Sequence, residues 1–222
     1  MQLAGRIPWT TYPEKFVIGK LLRSSKEFNE FYEAERKKII KPIYWAEDPS
    51  LPRGINYRST RLVIDNQESQ IIRLRRVPCT IKDAMKIAHE LQHLILYMDG
   101  FIATGVMDRR FESVYSSLNS MLHDPIVNSR LRSYGFDLLK DYFEEEKKDI
   151  RQLKTKTALP SENSSRAHWI FNYSGKILEW EVASYQTEEN NNKFRRMFDE
   201  KFPEISEEGR KLLVLCNINS AN

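Results

Sequence analysis

The sequence has little of what marks many small functional folds. Its 222 residues include two cysteines, Cys79 and Cys216, far apart in the chain. Two such thiols form neither a disulfide framework nor a cysteine-based zinc finger, and they fit a reducing compartment. No uninterrupted apolar run approaches the length that spans a bilayer. The opening "MQLAGRIPWTTYPEKF" lacks the apolar centre of a signal peptide. The expectation is a soluble, cytoplasmic protein with no membrane partner. There is no P-loop, no glycine-rich dinucleotide loop and no G-x-S-x-G serine elbow. A large excess of either charge is also missing. The chain carries 35 basic and 31 acidic residues, a net +4, and no arginine-rich arm, which argues against a nucleic-acid partner.

What remains suffices for a packed fold. An apolar fraction of 41% supports a core, and the length suits one large domain or a domain with a helical appendage. Pro8 and Pro13 break the mixed stretch 1–24. Ser24 to Ile40 reads as a helix capped by Ser24 or Ser25, with Phe28, Phe31, Tyr32 and Ile39 near helical spacing. "KPIYWAEDPSLPRG" reads as a loop, from its three prolines and glycine. Asn56–Asp65 and Ser69–Pro78 read as strands joined by "NQE". The arginines of the second strand suggest a solvated side or a sheet edge.

A long helix follows, with Thr80 and Asp83 as a capping pair and Gly100 as its stop. Asp108–Pro125 is a second helix, expected to end at the proline. Helix resumes on both sides of Gly135. "TALPSENSSR" is the clearest linker, and His168 to about Gln186 is helical again. Two short helices parted by Pro203 complete the chain. The order predicts an α+β fold with a small antiparallel sheet and a mostly helical C-terminal half. The expected division is 1–156 as the main domain, with 166–222 as a helical region packing on it, or one domain over 1–222.

Within the long helix lies "KIAHELQHLILYMDGF". The chain has four histidines, and two of them, His89 and His93, stand four residues apart on one helical face. One tetrahedral metal needs that spacing. Ala84, Ile87, Leu91, Leu94, Ile95 and Met98 gather on another side, so the imidazoles are not simply core residues. Met85, Leu96 and Tyr97 flank them and suggest a partly covered cleft. Glu90 is offset by about 100°. In such a site it reaches the metal-bound water, whose pKa zinc lowers towards neutrality, and takes its proton. The bland alternative is two ordinary helix histidines.

The H-E-x-x-H pattern in this setting resembles the zincin metallopeptidases, over roughly Ser69 to Gly100, and more loosely the small intracellular IrrE-type regulatory peptidases. The resemblance implies a zincin-like fold, Zn²⁺ as cofactor, His89 and His93 as ligands, Glu90 as general base and a peptide or protein substrate. It implies that a substrate strand pairs along 69–77. No third histidine follows at the short spacing of the metzincins.

A catalytic zinc takes three protein ligands and keeps one position open, and in many zincins the third is an acid on the following helix. Asp124 and Glu112 are the candidates, with His123 behind them. Glu112 also reads as an acid favoured by a helix N-terminus, and Asp124 as a helix-ending residue. Glu179 and Glu181 are more distant; a carboxylate drawn into the interior would need a partner. Tyr97, Tyr134 or His123 could face the oxyanion. His168 beside Trp169 reads as structural or exposed. Phe194, Phe198 and Phe202 suit an interaction helix or plain core packing. The expected function is a zinc-dependent hydrolase acting on a peptide bond. The rival is a zincin-like regulatory or binding module with little or no peptidase activity. A metal-free helical protein comes third.

Overall fold

The computed structural model of the protein describes residues 7–52, 55–64, 67–101, 112–155, 163–182 and 188–215. The fold is α+β and mostly helical, with one four-stranded sheet and, among the described residues, eight α-helices. The chain forms two compact units, residues 1–102 with 130–136, and residues 103–129 with 137–222.

The first unit holds the sheet: β1 (Thr10–Tyr12), β2 (Ile43–Glu47), β3 (Tyr57–Ile64) and β4 (Gln67–Leu74), in the order β1-β2-β4-β3. The β3–β4 hairpin is antiparallel over its whole length, as the two alternating runs imply. Residues 65–66 lie outside the described residues, and Gln67 and Glu68, expected in the connection, open β4 instead. The sheet is mixed, not antiparallel throughout, because β2 runs parallel to β4. Strand β2 occupies the segment that its prolines mark as loop. Pro42 and Pro49 stand outside the strand, so the ladder loses no donor, and the intervening Ile-Tyr-Trp-Ala-Glu is free to pair.

Strand β4 is therefore interior, paired on both sides, and its arginines are not an edge device. Arg73 meets the buried Asp48 at 3.1 Å and lies over the Trp9 ring at 4.8 Å. Arg75 donates to the carbonyls of Pro49, Leu51, Pro52 and Ile55, tying that loop to the sheet. The strand pairing once expected along 69–77 has no open side over Gln70–Leu74.

Three helices complete this unit: α1 (Glu14–Ser24), α2 (Lys26–Glu35) and α3 (Ala84–Met98). Pro13, expected only as a breaker, stands at the entry of α1, where its missing N–H costs no bond. Ser25 caps α2, its hydroxyl accepting from Phe28 N at 3.2 Å. Val17, Ile18, Leu21, Phe28, Phe31, Trp45, Ile72 and Leu74 are buried. Residues 130–136 add Tyr134 and Phe136, whose rings meet Phe31 edge-on at 5.4 and 6.3 Å.

The second unit is helical: α4 (Glu112–Ser133, the last turn excepted), α5 (Leu138–Thr155), α6 (Asn163–Val182), α7 (Glu188–Lys201) and α8 (Pro203–Leu215). Helix α4 does not end at Pro125 but runs through it. A proline there costs roughly 3 kcal/mol. Burial of Met121, Pro125 and Val127 along the same stretch offsets that cost. Residues 108–111, expected as the start of this helix, and most of the expected linker lie outside the described residues. The break at Gly135 is real, with φ +85°. Trp169, Tyr173, Phe194, Phe198 and Phe202 pack as one aromatic core, so the phenylalanines of α7 are core residues.

Candidate metal centre

Helix α3 is fixed at both ends by local chemistry. Thr80 and Asp83 form both halves of a capping box. Gly100 leaves the helix with φ +93°. Between them Ala84, Ile87, Ala88, Leu91, Gln92, Leu94, Ile95 and Leu96 are buried, while His89, Glu90 and His93 are half-buried. Leu96 belongs to the core, not to the flank of a cleft. The hydrophobic stripe turns the motif away from the core without fully exposing it.

The two imidazoles converge. Nε2 of His89 and Nε2 of His93 are 3.0 Å apart, with the rings at 80° to one another. Two nitrogens on one tetrahedral zinc, each about 2.0–2.1 Å from it, stand about 3.3 Å apart. The observed pair needs an adjustment of only a few tenths of an ångström to share an ion. The same spacing is an N–H···N hydrogen bond when one ring carries the proton. His89 and His93 belong to the first unit, and Asp124, half-buried on α4, to the second. Two imidazoles and a carboxylate are a donor set that zinc accepts.

Glu90 is held from the sheet. The backbone N–H of Ser59 on β3 donates to Glu90 Oε2 at 2.6 Å. β3 closes the strand order, and this N–H points away from β4, out of the sheet edge. One carboxylate oxygen is thereby fixed by a rigid strand. Nothing in the sequence marks Ser59, because the interaction uses its backbone. Only the strand register reveals it.

Other candidates take different places. The side chains of Glu112 and Glu181 lie outside the described residues. Glu179 is buried, accepting from the Asn128 amide at 2.5 Å, with Lys176 Nζ 4.0 Å away. His123 is half-buried on α4. His168 is exposed, bonded to Ser117 at 2.9 Å and edge-on to Trp169. The Tyr134 hydroxyl donates to Glu35 at 2.6 Å. Burial and that carboxylate push its pKa up to about 12, so it is committed to a structural bond. Burial likewise raises the Cys79 thiol to about 12, with Asp83 adding to the effect, so Cys79 is neither a thiolate ligand nor a nucleophile at neutral pH.

Tyr97 continues the histidine stripe one turn beyond His93. The Arg61 guanidinium lies 4.0 Å from its ring centroid, and Lys41 Nζ lies 5.5 Å from it. Lys41 is paired with Glu68. The lysine holds the Glu68 carboxyl below the usual carboxylate range against the opposing effect of burial, and the Tyr97 hydroxyl assists. An open cleft of about 380 Å³ at this end of α3 is lined by Lys41, Tyr97, Met98, Gly100 and Phe101.

No helix among the described residues is long and apolar enough to cross a membrane. No family model, curated protein or solved structure matches the chain.

Proposed function

We propose that the protein is a zinc-dependent hydrolase of the zincin type acting on a peptide bond, with His89 and His93 as zinc ligands, a third ligand for which Asp124 and Glu112 are the candidates by sequence, and Glu90 as general base. The convergence of the two α3 imidazoles beside an anchored carboxylate carries this reading. Zinc bound there would polarise a water and a substrate carbonyl. His89 and His93 would enter as neutral imidazoles and the third ligand as a carboxylate. Glu90, fixed through Oε2 by Ser59, would keep its other oxygen to take the proton of the attacking water and pass it to the leaving amine. Strand β3, not β4, has one edge without a strand partner among the described residues, and its outward amides beyond the one that Glu90 holds at Ser59 begin at Arg61.

The test is metal content by elemental mass spectrometry after zinc loading at neutral pH, for wild type and His93→Ala. About one zinc per chain in wild type, lost in the variant, is the expected result. A wild type that takes up no zinc refutes the reading, and His89 and His93 are then a hydrogen-bonded helix pair.

A further inference from the structure

The geometry points to an acid-selecting subsite, centred on Arg61, that takes a glutamate or aspartate side chain of a peptide lying along the β3 edge. The inference rests on the proposed reading only for the direction in which the peptide lies; the subsite itself is built from residues of the first unit alone.

The argument begins with the strand register. Tyr57, Ser59 and Arg61 pair with Leu74, Ile72 and Gln70. Opposed residues share a face, so Ser59 and Arg61 point the same way. Alternation along an antiparallel strand turns the outward backbone groups of Ser59, Arg61 and Val63 to the open edge. Ser59 N–H is taken by Glu90. The next outward position is Arg61, about 6.6 Å further along. On the helix, Tyr97 lies seven residues beyond Glu90, about 10 Å. Strand and helix therefore run the same way, from the anchored carboxylate towards Arg61 and Tyr97.

The chemistry at that end is cationic and ready for an anion. The Arg61 guanidinium lies over the Tyr97 ring at 4.0 Å. Stacking occupies the face of the guanidinium and leaves its N–H edge free for a bidentate carboxylate. Arg61 is exposed and makes no hydrogen bond among the described residues. Glu68 pairs with Lys41 and is also drawn by the Arg61 charge, so two cations share one carboxylate and a net positive charge remains. Met98 and Phe101 line the adjoining cleft and give the methylene stem of an acidic side chain an apolar wall. A peptide residue on the helix-facing side, two positions from the one beside Ser59, would bring its side chain here.

The test uses fluorescein-labelled octapeptides of alternating valine and threonine, with one central Glu, Gln or Lys, and reads binding by fluorescence anisotropy at low salt. Wild type is expected to bind the Glu peptide about tenfold tighter than the Gln peptide. Arg61→Gln should abolish that preference, and Arg61→Glu should shift it to the Lys peptide. Equal affinity for Glu and Gln peptides, binding of neither, or a preference that survives Arg61→Gln overturns the subsite. Zinc content measured on the same preparations separates the two claims. Preference without zinc keeps the subsite and removes the hydrolase; zinc without preference does the reverse.

Discussion

The role of Glu90 is most sharply tested by Glu90→Gln, because the hydrogen bond to Ser59 separates its structural duty from its chemical one. Ser59 N–H reaches Oε2 at 2.6 Å. Glutamine keeps a carbonyl oxygen for that donor, so the substitution removes only the charge-assisted part of the bond, about 1 kcal/mol. Neither imidazole is altered, so zinc content should stay at the wild-type value. The base is lost, and a positioned general base contributes roughly 10²–10⁴ in rate, about 3–5 kcal/mol of barrier. Glu90→Ala should match the loss of turnover and cost a further 1 kcal/mol or so in stability, since Ser59 N–H loses its acceptor. The assays are turnover of a quenched-fluorescence peptide library, zinc per chain, and urea denaturation. Turnover by Glu90→Gln within a few-fold of wild type, with zinc bound, refutes the mechanism. A stability loss well above 3 kcal/mol would instead make Glu90 chiefly a structural tie between α3 and β3.

Two further outcomes test the packing and the electrostatics. Gly209→Ala in α8 should destabilise by about 1–2 kcal/mol despite alanine's better helix propensity of about 1 kcal/mol. A Cβ there would stand 2.5 Å from Tyr173 Cδ1 and 3.0 Å from Ser174 Oγ; a rise in the urea midpoint would contradict this. Asp83→Asn should cost about 1.5–3 kcal/mol at pH 7. Burial pushes the Asp83 carboxyl up, but donors from Tyr57 and Thr80 outweigh it, with Arg76 adding to them, and leave it below its ordinary value. A depressed carboxyl stabilises above the unfolded pKa of about 3.9 and loses that contribution as pH falls through the folded value. The gap between wild type and Asp83→Asn should therefore narrow below about pH 4 in urea titrations, and a gap unchanged down to pH 2 would refute the assignment.

Local chemistry determined much of this protein from the sequence alone. The α3 helix, its capping box, its glycine exit and its face of half-buried histidines follow from spacing and side-chain type within about twenty consecutive residues. The β3–β4 hairpin and the breaks at Gly135 and Pro203 have the same origin, because alternation, positive φ and a missing N–H act on near neighbours. Where the prolines misled, long-range packing prevailed. Pro125 is carried inside α4 by the buried residues around it, and β2 forms between Pro42 and Pro49 because β4 offers it a ladder. Arg73 and Arg75 look like an edge device until their partners, Asp48 and the carbonyls of Pro49, Leu51, Pro52 and Ile55, come from outside the strand. Ser59 and Arg61 had no signal at all. Their parts depend on which strand ends the sheet and which way its amides point, and only the pairing of distant segments decides that.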